Sequence, residues 1–241
     1  MRNKNYIWIK RLSFVSLFIY IVLFSIDFCQ PRTLDKIKSG RISFTQELGW
    51  VNWGHAIPTN AMNGIERLNN LEEVDSTLSI YMQVKSHIFG IDLTGECKRY
   101  VLLGSIKDSI QLRYHFYSLF RKASSDLETY QGDLPFSLLS VSKESSFREG
   151  DLMGNLISVY LAETGMKIAD FRNSLTNYSK EKCILKFADF PIQKHNWDSV
   201  SNIAKNSSVS VPFSNFVETF FREVTNQINS SLSKSIYFNS N

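Results

Sequence analysis

His55 is the residue of this sequence best suited to acid–base or metal chemistry. It lies in the segment Leu48–Pro58, together with Trp50, Trp53 and two glycines, just before a predicted helix start. An imidazole with an unperturbed pKa of about 6.5 can act as a general base or as a metal ligand. The same imidazole can instead hydrogen-bond a backbone carbonyl while the two tryptophans fill the edge of the core. The sequence leaves both interpretations open.

The stretch from Ser145 to Gly165 carries the strongest helix signal in the chain. Ser146 and Glu149 have the spacing of a capping box, and Gly165 stands where a left-handed residue ends a helix. Apolar residues recur at helical spacing between these marks and predict the side that faces the core: Leu152, Met153, Leu156, Ile157 and Tyr160.

The opposite side of this helix is lined by short residues that recur at steps of three and four: Asp151, Asn155, Ser158 and Ala162, with Gly154 beside them. A solvated helix face usually carries Lys, Glu or Arg instead. The short polar residues therefore predict either close packing against another segment or the wall of a small polar pocket.

If a pocket forms on that side, three segments would supply its chemistry. His55 would act with Asp151, and Glu128, near the end of the preceding predicted helix, is the third catalytic candidate. Ligand contacts would come from four residues: Trp50, Trp53, Asn155 and Ser146. The chain has no zincin helix, nucleophile elbow or Walker A loop, and its cysteines lack metal-ligand spacing. No metal ligand is predicted, and the sequence identifies no cofactor.

The segment 145–157 resembles a Ser-x-Phe-Ser-x-Glu-Asp-Leu-x-Ser-Asn-Leu motif of a family of bacterial domains of unknown function. The matching residues are Phe147, Asp151, Leu152, Asn155 and Leu156. Members also carry Gly or Asp before a histidine, similar to Gly54 and His55 here. This chain has Arg148 and Gly150 where the motif has serine and glutamate, and Asp126 to Glu128 where members carry a His-Glu pair. The resemblance implies a shared domain and no particular activity.

The first thirty residues have the marks of an export signal. A mostly apolar, uncharged run from Leu12 to Ile26 follows four basic residues: Arg2, Lys4, Lys10 and Arg11. As a helix the run is about 22 Å long, shorter than the roughly 30 Å hydrocarbon core. No small residues mark a cleavage site near Cys29, so an uncleaved signal anchor is favoured over a removed signal peptide. In both cases the positive-inside rule places the rest of the chain on the non-cytoplasmic side.

Length and composition favour one globular domain, since 43% of the 241 residues are apolar. Helices are predicted over residues 59–71, 108–129, 146–164, 166–177 and 213–232. Strands are predicted within residues 76–93, 100–104 and 182–187. The pattern predicts an α+β fold: a mostly helical single domain with a small mixed or antiparallel sheet, preceded by an N-terminal transmembrane or signal helix.

The expected organisation is a signal anchor or signal peptide over residues 1–29 and a linker over 30–46. A globular extracytoplasmic domain follows over 47–232, and a frayed tail over 233–241. In an oxidising compartment Cys97 and Cys183 could pair, although the sequence does not show whether their Cα atoms are close enough.

The expected function is that of a membrane-anchored or exported binding module associated with the cell envelope. The N-terminal helix would contact the membrane, and the ligand would be a protein, a glycan or a small molecule. The net charge of +4 comes largely from the N-terminus, so nothing indicates nucleic-acid binding. The alternative is a hydrolase, metal-assisted or not, that uses His55 with Asp151.

Overall fold

The computed structural model describes residues 31–69, 77–88, 91–102, 108–132, 149–189, 196–222 and 230–240. The predicted N-terminal transmembrane or signal helix lies outside these ranges, and so does the predicted capping residue Ser146. Across the described residues, no helix combines the length and the apolar character needed to cross a bilayer.

Helices outnumber strands in the described part of the chain. The helices are α1 Pro31–Lys38, α2 Thr59–Asn69, α3 Ser109–Gly132, α4 Glu149–Thr164, α5 Ile168–Asn173, α6 Lys180–Asp189, α7 Trp197–Lys205 and α8 Val211–Phe220. The strands are β1 Ile42–Thr45, β2 Gly49–Asn52, β3 Thr77–Ile88, β4 Ile91–Leu102 and β5 Ser230–Ser240. This content, with its antiparallel pairing, agrees with the predicted α+β class.

The strands form two antiparallel sheets. β1 pairs with β2 from Ile42 opposite Asn52 to Thr45 opposite Gly49, and Gly49 takes the left-handed φ of +69° that begins β2. In the second sheet β4 lies between β3 and β5, so that Arg99 is opposite Ile80 on one side and Leu232 on the other. Helix α3 packs on this sheet through contacts with β3 and β4.

Helix α4 lies at the centre of the main hydrophobic core. All five residues of its predicted apolar stripe are buried, which confirms that prediction. Gly165 follows the helix at φ +68°, as expected of a residue that ends it. Tyr160 extends the core through ring contacts with Phe171 and Phe213 at 5.5 and 5.1 Å between centroids. The helix contacts β2, α2 and α7.

A second, smaller apolar cluster lies between α1, β1 and α6. It consists of Ile37, Ile42, Trp50 and Cys183. The Phe44 ring joins it, meeting Trp50 edge-on at 5.3 Å between centroids. The backbone N–H of Tyr178 donates to the Phe44 carbonyl at 2.9 Å. These contacts tie the β1–β2 hairpin to a segment more than a hundred residues later.

Several segment predictions are wrong. Residues 30–46 were expected to be a linker but contain α1 and β1, because Ile37 and Ile42 bury their side chains in the second cluster. Residues 182–187 are helical rather than extended, because Cys183 and Phe187, one turn apart, both pack on that cluster. The last predicted helix ends at Phe220, not at residue 232. The predicted frayed tail instead continues strand β5, which pairs with β4 as far as Ser240.

Cys183 is a free, buried thiol. Its Sγ accepts a hydrogen bond from the backbone N–H of Phe44 at 3.3 Å. The disulfide between Cys97 and Cys183 that the sequence left open is therefore not formed.

Candidate functional site

The β1–β2 hairpin carries Asn52 and His55 to the start of helix α4. At the end of β2, Asn52 Oδ1 accepts a hydrogen bond from the Gly54 N–H at 3.0 Å. The Asn52 carbonyl accepts a second bond from the His55 N–H, also at 3.0 Å. An asparagine side chain that closes its own turn in this way explains why the chain reverses at Asn52 and brings His55 back towards the helix.

Asp151 lies in the first turn of α4, where the helix dipole favours a carboxylate. It is only 5% exposed. Its Oδ1 accepts a hydrogen bond from Asn52 Nδ2 at 2.6 Å, across 99 positions of sequence. Bonds to an ionised acceptor are shorter and stronger than neutral ones, so this contact fixes the hairpin on the helix.

His55 stands beside the same carboxylate. Its Nε2 is 3.8 Å from Asp151 Oδ1, and the side-chain exposures are 25% for the histidine and 7% for the aspartate. This separation allows an ion pair but is too long for a hydrogen bond. One edge of the imidazole thus faces a buried carboxylate, while part of the ring remains open to solvent.

The short residues of α4 are explained by close packing. A Cβ atom on Gly154 would overlap the Asn52 carbonyl oxygen and would lie 2.8 Å from His55 Cβ. A Cβ on Gly150 would lie 3.2 Å from the Asn52 backbone nitrogen. The helix backbone therefore touches the end of β2, which longer side chains would prevent. Close packing is thus observed at the two glycines, and the Asn52–His55–Asp151 cluster lies at the margin of this contact.

The two tryptophans are core residues, with exposures of 3% for Trp50 and 5% for Trp53. Trp50 belongs to the second apolar cluster, whereas Trp53 Nε1 donates to Ser43 Oγ at 2.7 Å. The Arg172 guanidinium covers the Trp53 ring at 5.0 Å from its centroid. Their burial leaves little ring surface for the ligand contact that the sequence suggested.

The other predicted site residues are not joined to this cluster. Glu128 is fully buried in α3, and no hydrogen bond or ion pair between described residues connects it with His55 or Asp151. Asn155 is partly buried one turn beyond Asp151, and its carbonyl accepts a bond from Ser158 Oγ at 2.7 Å. Ser146 lies outside the described residues. His55 and Asp151 are therefore the predicted pair that the fold brings together.

Asn52 is the site residue that the sequence interpretation missed. The signal was present, because an asparagine two positions before a glycine is typical of a side-chain-closed turn. A cavity of about 390 Å³ elsewhere, between the end of α2 and the start of α3, is lined by none of the predicted site residues. Its lining residues are Leu68, Ser109, Ile110, Leu112 and Arg113.

The cluster can bind a polar group or move a proton. When Nε2–H faces Asp151, the Nδ1 lone pair of a neutral imidazole can accept a hydrogen bond or a proton. Within the described ranges, no group of three His, Cys, Asp or Glu side chains is arranged to hold a metal ion. Comparisons of this chain with family models, with curated proteins and with solved structures give no match.

Proposed function

We propose that this protein is a membrane-anchored or exported module of the cell envelope that binds a polar ligand at His55. The observation that supports this function is the Asn52–His55–Asp151 cluster. Asp151 is buried and held by Asn52, whereas His55 keeps a quarter of its side chain exposed. The apolar run Leu12–Ile26 supports the membrane part of the proposal.

The chemistry of His55 suggests the class of ligand. With Nε2–H directed at Asp151, Nδ1 is an acceptor, so it suits a ligand that offers a hydroxyl or an amide N–H. Glycans and peptides both carry such groups. The sequence also resembles bacterial domains of unknown function. We therefore include a domain shared with that family in the proposal, and the resemblance implies no activity.

Side-chain NMR of the full chain in detergent tests the ligand site. We expect an N-acetylated disaccharide, which offers hydroxyl and amide donors, to shift the His55 ring resonances in a saturable way. Asp151→Ala should abolish the shift, because the imidazole loses the carboxylate that orients it. The buried His115 is an internal control and should not move. Unchanged His55 resonances up to the solubility limit of the sugar would contradict binding of this ligand class.

Location is tested separately, with reporter fusions to the C-terminus. A reporter active only outside the cytoplasm should be active, and one active only inside should not. The reverse pattern would overturn the proposed location and leave the ligand experiment unaffected.

The His55–Asp151 pair favours a second candidate, a hydrolase. In such a hydrolase, His55 Nδ1 would take a proton from water and Asp151 would stabilise the resulting imidazolium. This is the general-base role of a histidine paired with a carboxylate. Hydrolysis of p-nitrophenyl acetate by the full chain would fall about 10²–10⁴-fold in His55→Gln, the usual contribution of a general base. His115→Gln is the matched control for background imidazole reactivity. Equal rates in the two variants would exclude His55 as the base for this ester.

A further inference from the structure

Four basic residues lie at the end of helix α1 or approach it, and we call them the basic cluster: Lys38, Arg41, Arg172 and Lys180. Lys38 and Arg41 flank Gly40 in the chain, and the Arg41 guanidinium lies against Gly54. Arg172 and Lys180 approach Gly40 from α5 and α6, since a Cβ on Gly40 would be 3.6 Å from Arg172 Nη2 and 3.9 Å from Lys180 Cε. Arg172 also donates to the Gly40 carbonyl at 3.2 Å. Lys38, Arg41 and Lys180 are exposed.

Acidic residues offset this cluster only in part: within the described residues, Glu181 follows Lys180 in the chain and is attracted to its charge. The ion pairs between described residues are His55–Asp151, Arg99–Asp126 and Arg113–Glu163, and none of them includes a member of the cluster. Three exposed acids, Asp35, Glu181 and Asp189, lie on α1 and α6 against six basic residues of the same two helices, which leaves an excess of positive charge. Arg172 is held by Trp53 and Gly40, so at least this cation has a fixed position.

The chain connects the cluster closely to the apolar run of the N-terminus. Only residues 27–30 separate Ile26 from Pro31, the first residue of α1. Five residue steps span at most about 18 Å even when fully extended. Helix α1 has eight residues and is about 12 Å long. If the apolar run is inserted in a bilayer, the end of α1 lies within about 30 Å of the end of that run, so the basic cluster can reach the headgroups.

We propose that the basic cluster docks on anionic lipid headgroups of the membrane in which the chain is anchored. This inference rests on the proposed membrane anchoring and adds a second contact with the same bilayer. Each Lys or Arg near an anionic surface strengthens attachment about fivefold, and the effect fades within a Debye length of about 8 Å. The docking holds for either orientation of the apolar run, because α1 adjoins it in both. It would fix the domain relative to the membrane instead of leaving it free on a tether.

Lysine footprinting of the full chain in lipid nanodiscs tests the docking. One nanodisc contains phosphatidylcholine alone, and the other contains an added fraction of phosphatidylglycerol. We expect acetylation of Lys38 and Lys180 to slow at least about fivefold in the anionic disc, the factor expected from one cation at such a surface. High salt should restore the rate. Lys122 and Lys205, exposed on α3 and α7, are internal controls whose rates should not change.

Charge-matched variants sharpen the result. Arg41→Gln should reduce the protection of Lys38 and Lys180, whereas Lys122→Gln, which removes the same charge from α3, should leave it intact. Equal labelling in the two nanodiscs would overturn the docking. So would protection that appears in phosphatidylcholine discs on adding inorganic phosphate, because the site would then bind a free anion.

The two proposals fail in different ways. A chain that does not incorporate into nanodiscs would overturn the membrane anchoring, and the docking with it. A chain that incorporates but shows no lipid-dependent protection would overturn the docking alone.

Discussion

Asn52 and Asp151 form the most tightly held polar contact of the candidate site. Their side chains meet at 2.6 Å, and the residues are 1% and 5% exposed. In Asn52→Ala the buried carboxylate loses its amide donor, so we expect the free energy of unfolding to fall by about 1.5–3 kcal/mol. Urea denaturation measures this loss.

Two further variants control that experiment. Ser158→Ala removes another buried side chain, whose hydroxyl donates to the Asn155 carbonyl of the same helix. We therefore expect this variant to lower the free energy of unfolding by less than Asn52→Ala does. Asp151→Ala should lower the free energy of unfolding by less in the Asn52→Ala background than alone, because the hydrogen bond between the two side chains is already absent there. Strictly additive losses would show that the two residues do not stabilise the fold together.

His115 makes the stability of the protein dependent on pH. It is 6% exposed in α3, and burial lowers its pKa below the ordinary value of 6.5. Between the two values the unfolded chain binds the proton and the folded chain does not. The stabilisation is therefore complete above about pH 6.5 and is lost as the pH falls through the folded-state pKa. We expect the Tm to fall with pH in this range, and to fall less in His115→Gln, as measured by thermal unfolding. An equal fall in the variant would assign the pH dependence to other groups.

At the scale of elements, the approach of α4 to the hairpin depends on Gly154. An added Cβ would meet the Asn52 carbonyl oxygen and the Ala56 nitrogen, the latter at 3.3 Å. Backbone cannot move aside as a flexible side chain can. We expect Gly154→Ala to destabilise the protein by about 1–3 kcal/mol in chemical denaturation, despite the better helix propensity of alanine. Gly150→Ala is the control, because the contacts of an added Cβ are longer there, and it should destabilise the protein less. A stabilised Gly154→Ala protein would mean that the helix stands further from β2.

Elements with strong local signals were predictable from the sequence, and those decided by distant contacts were not. Helix α4 has its own apolar stripe and its terminal glycine, and the predicted boundaries are close to the observed ones. The segment 182–187 is short, and the spacing of its apolar residues is equally compatible with a helix and with a strand. Only packing on Trp50 and Ile42 decides for the helix.

The same distinction applies to the site. His55 and Asp151 were identified from their residue types, but nothing in the local pattern fixes a distance between positions so far apart. The hairpin turn at Asn52 and the two glycines of α4 determine that distance. Trp50 and Trp53, prominent in the sequence as aromatic residues near glycines, pack inside because the hairpin turns both rings towards neighbouring helices.

At the scale of the whole molecule, the C-terminal strand is part of the fold. β5 pairs with β4 from Ser230 opposite Val101 to Ser240 opposite Ile91. The serine-rich composition of this segment predicted a frayed tail, but β5 pairs with a strand more than a hundred positions earlier in the chain. Removal of residues 230–241 leaves β4 without a neighbour on one side, so we expect a lower Tm and faster proteolysis within β3 and β4. Removal of Asn241 alone is the control. A truncated protein with an unchanged Tm would contradict a structural role for β5.

The ties between the β1–β2 hairpin and α6 also set an order of events when the chain is made. Phe44 and Cys183 are 139 positions apart, so the hairpin leaves the ribosome long before α6 exists. At about 5–20 residues per second, the delay is on the order of ten seconds. During that interval Ile42, Phe44 and Trp50 lack the cover of α6. A nascent chain of this protein therefore exposes these side chains until α6 has been made, and we expect the hairpin to become stable only then.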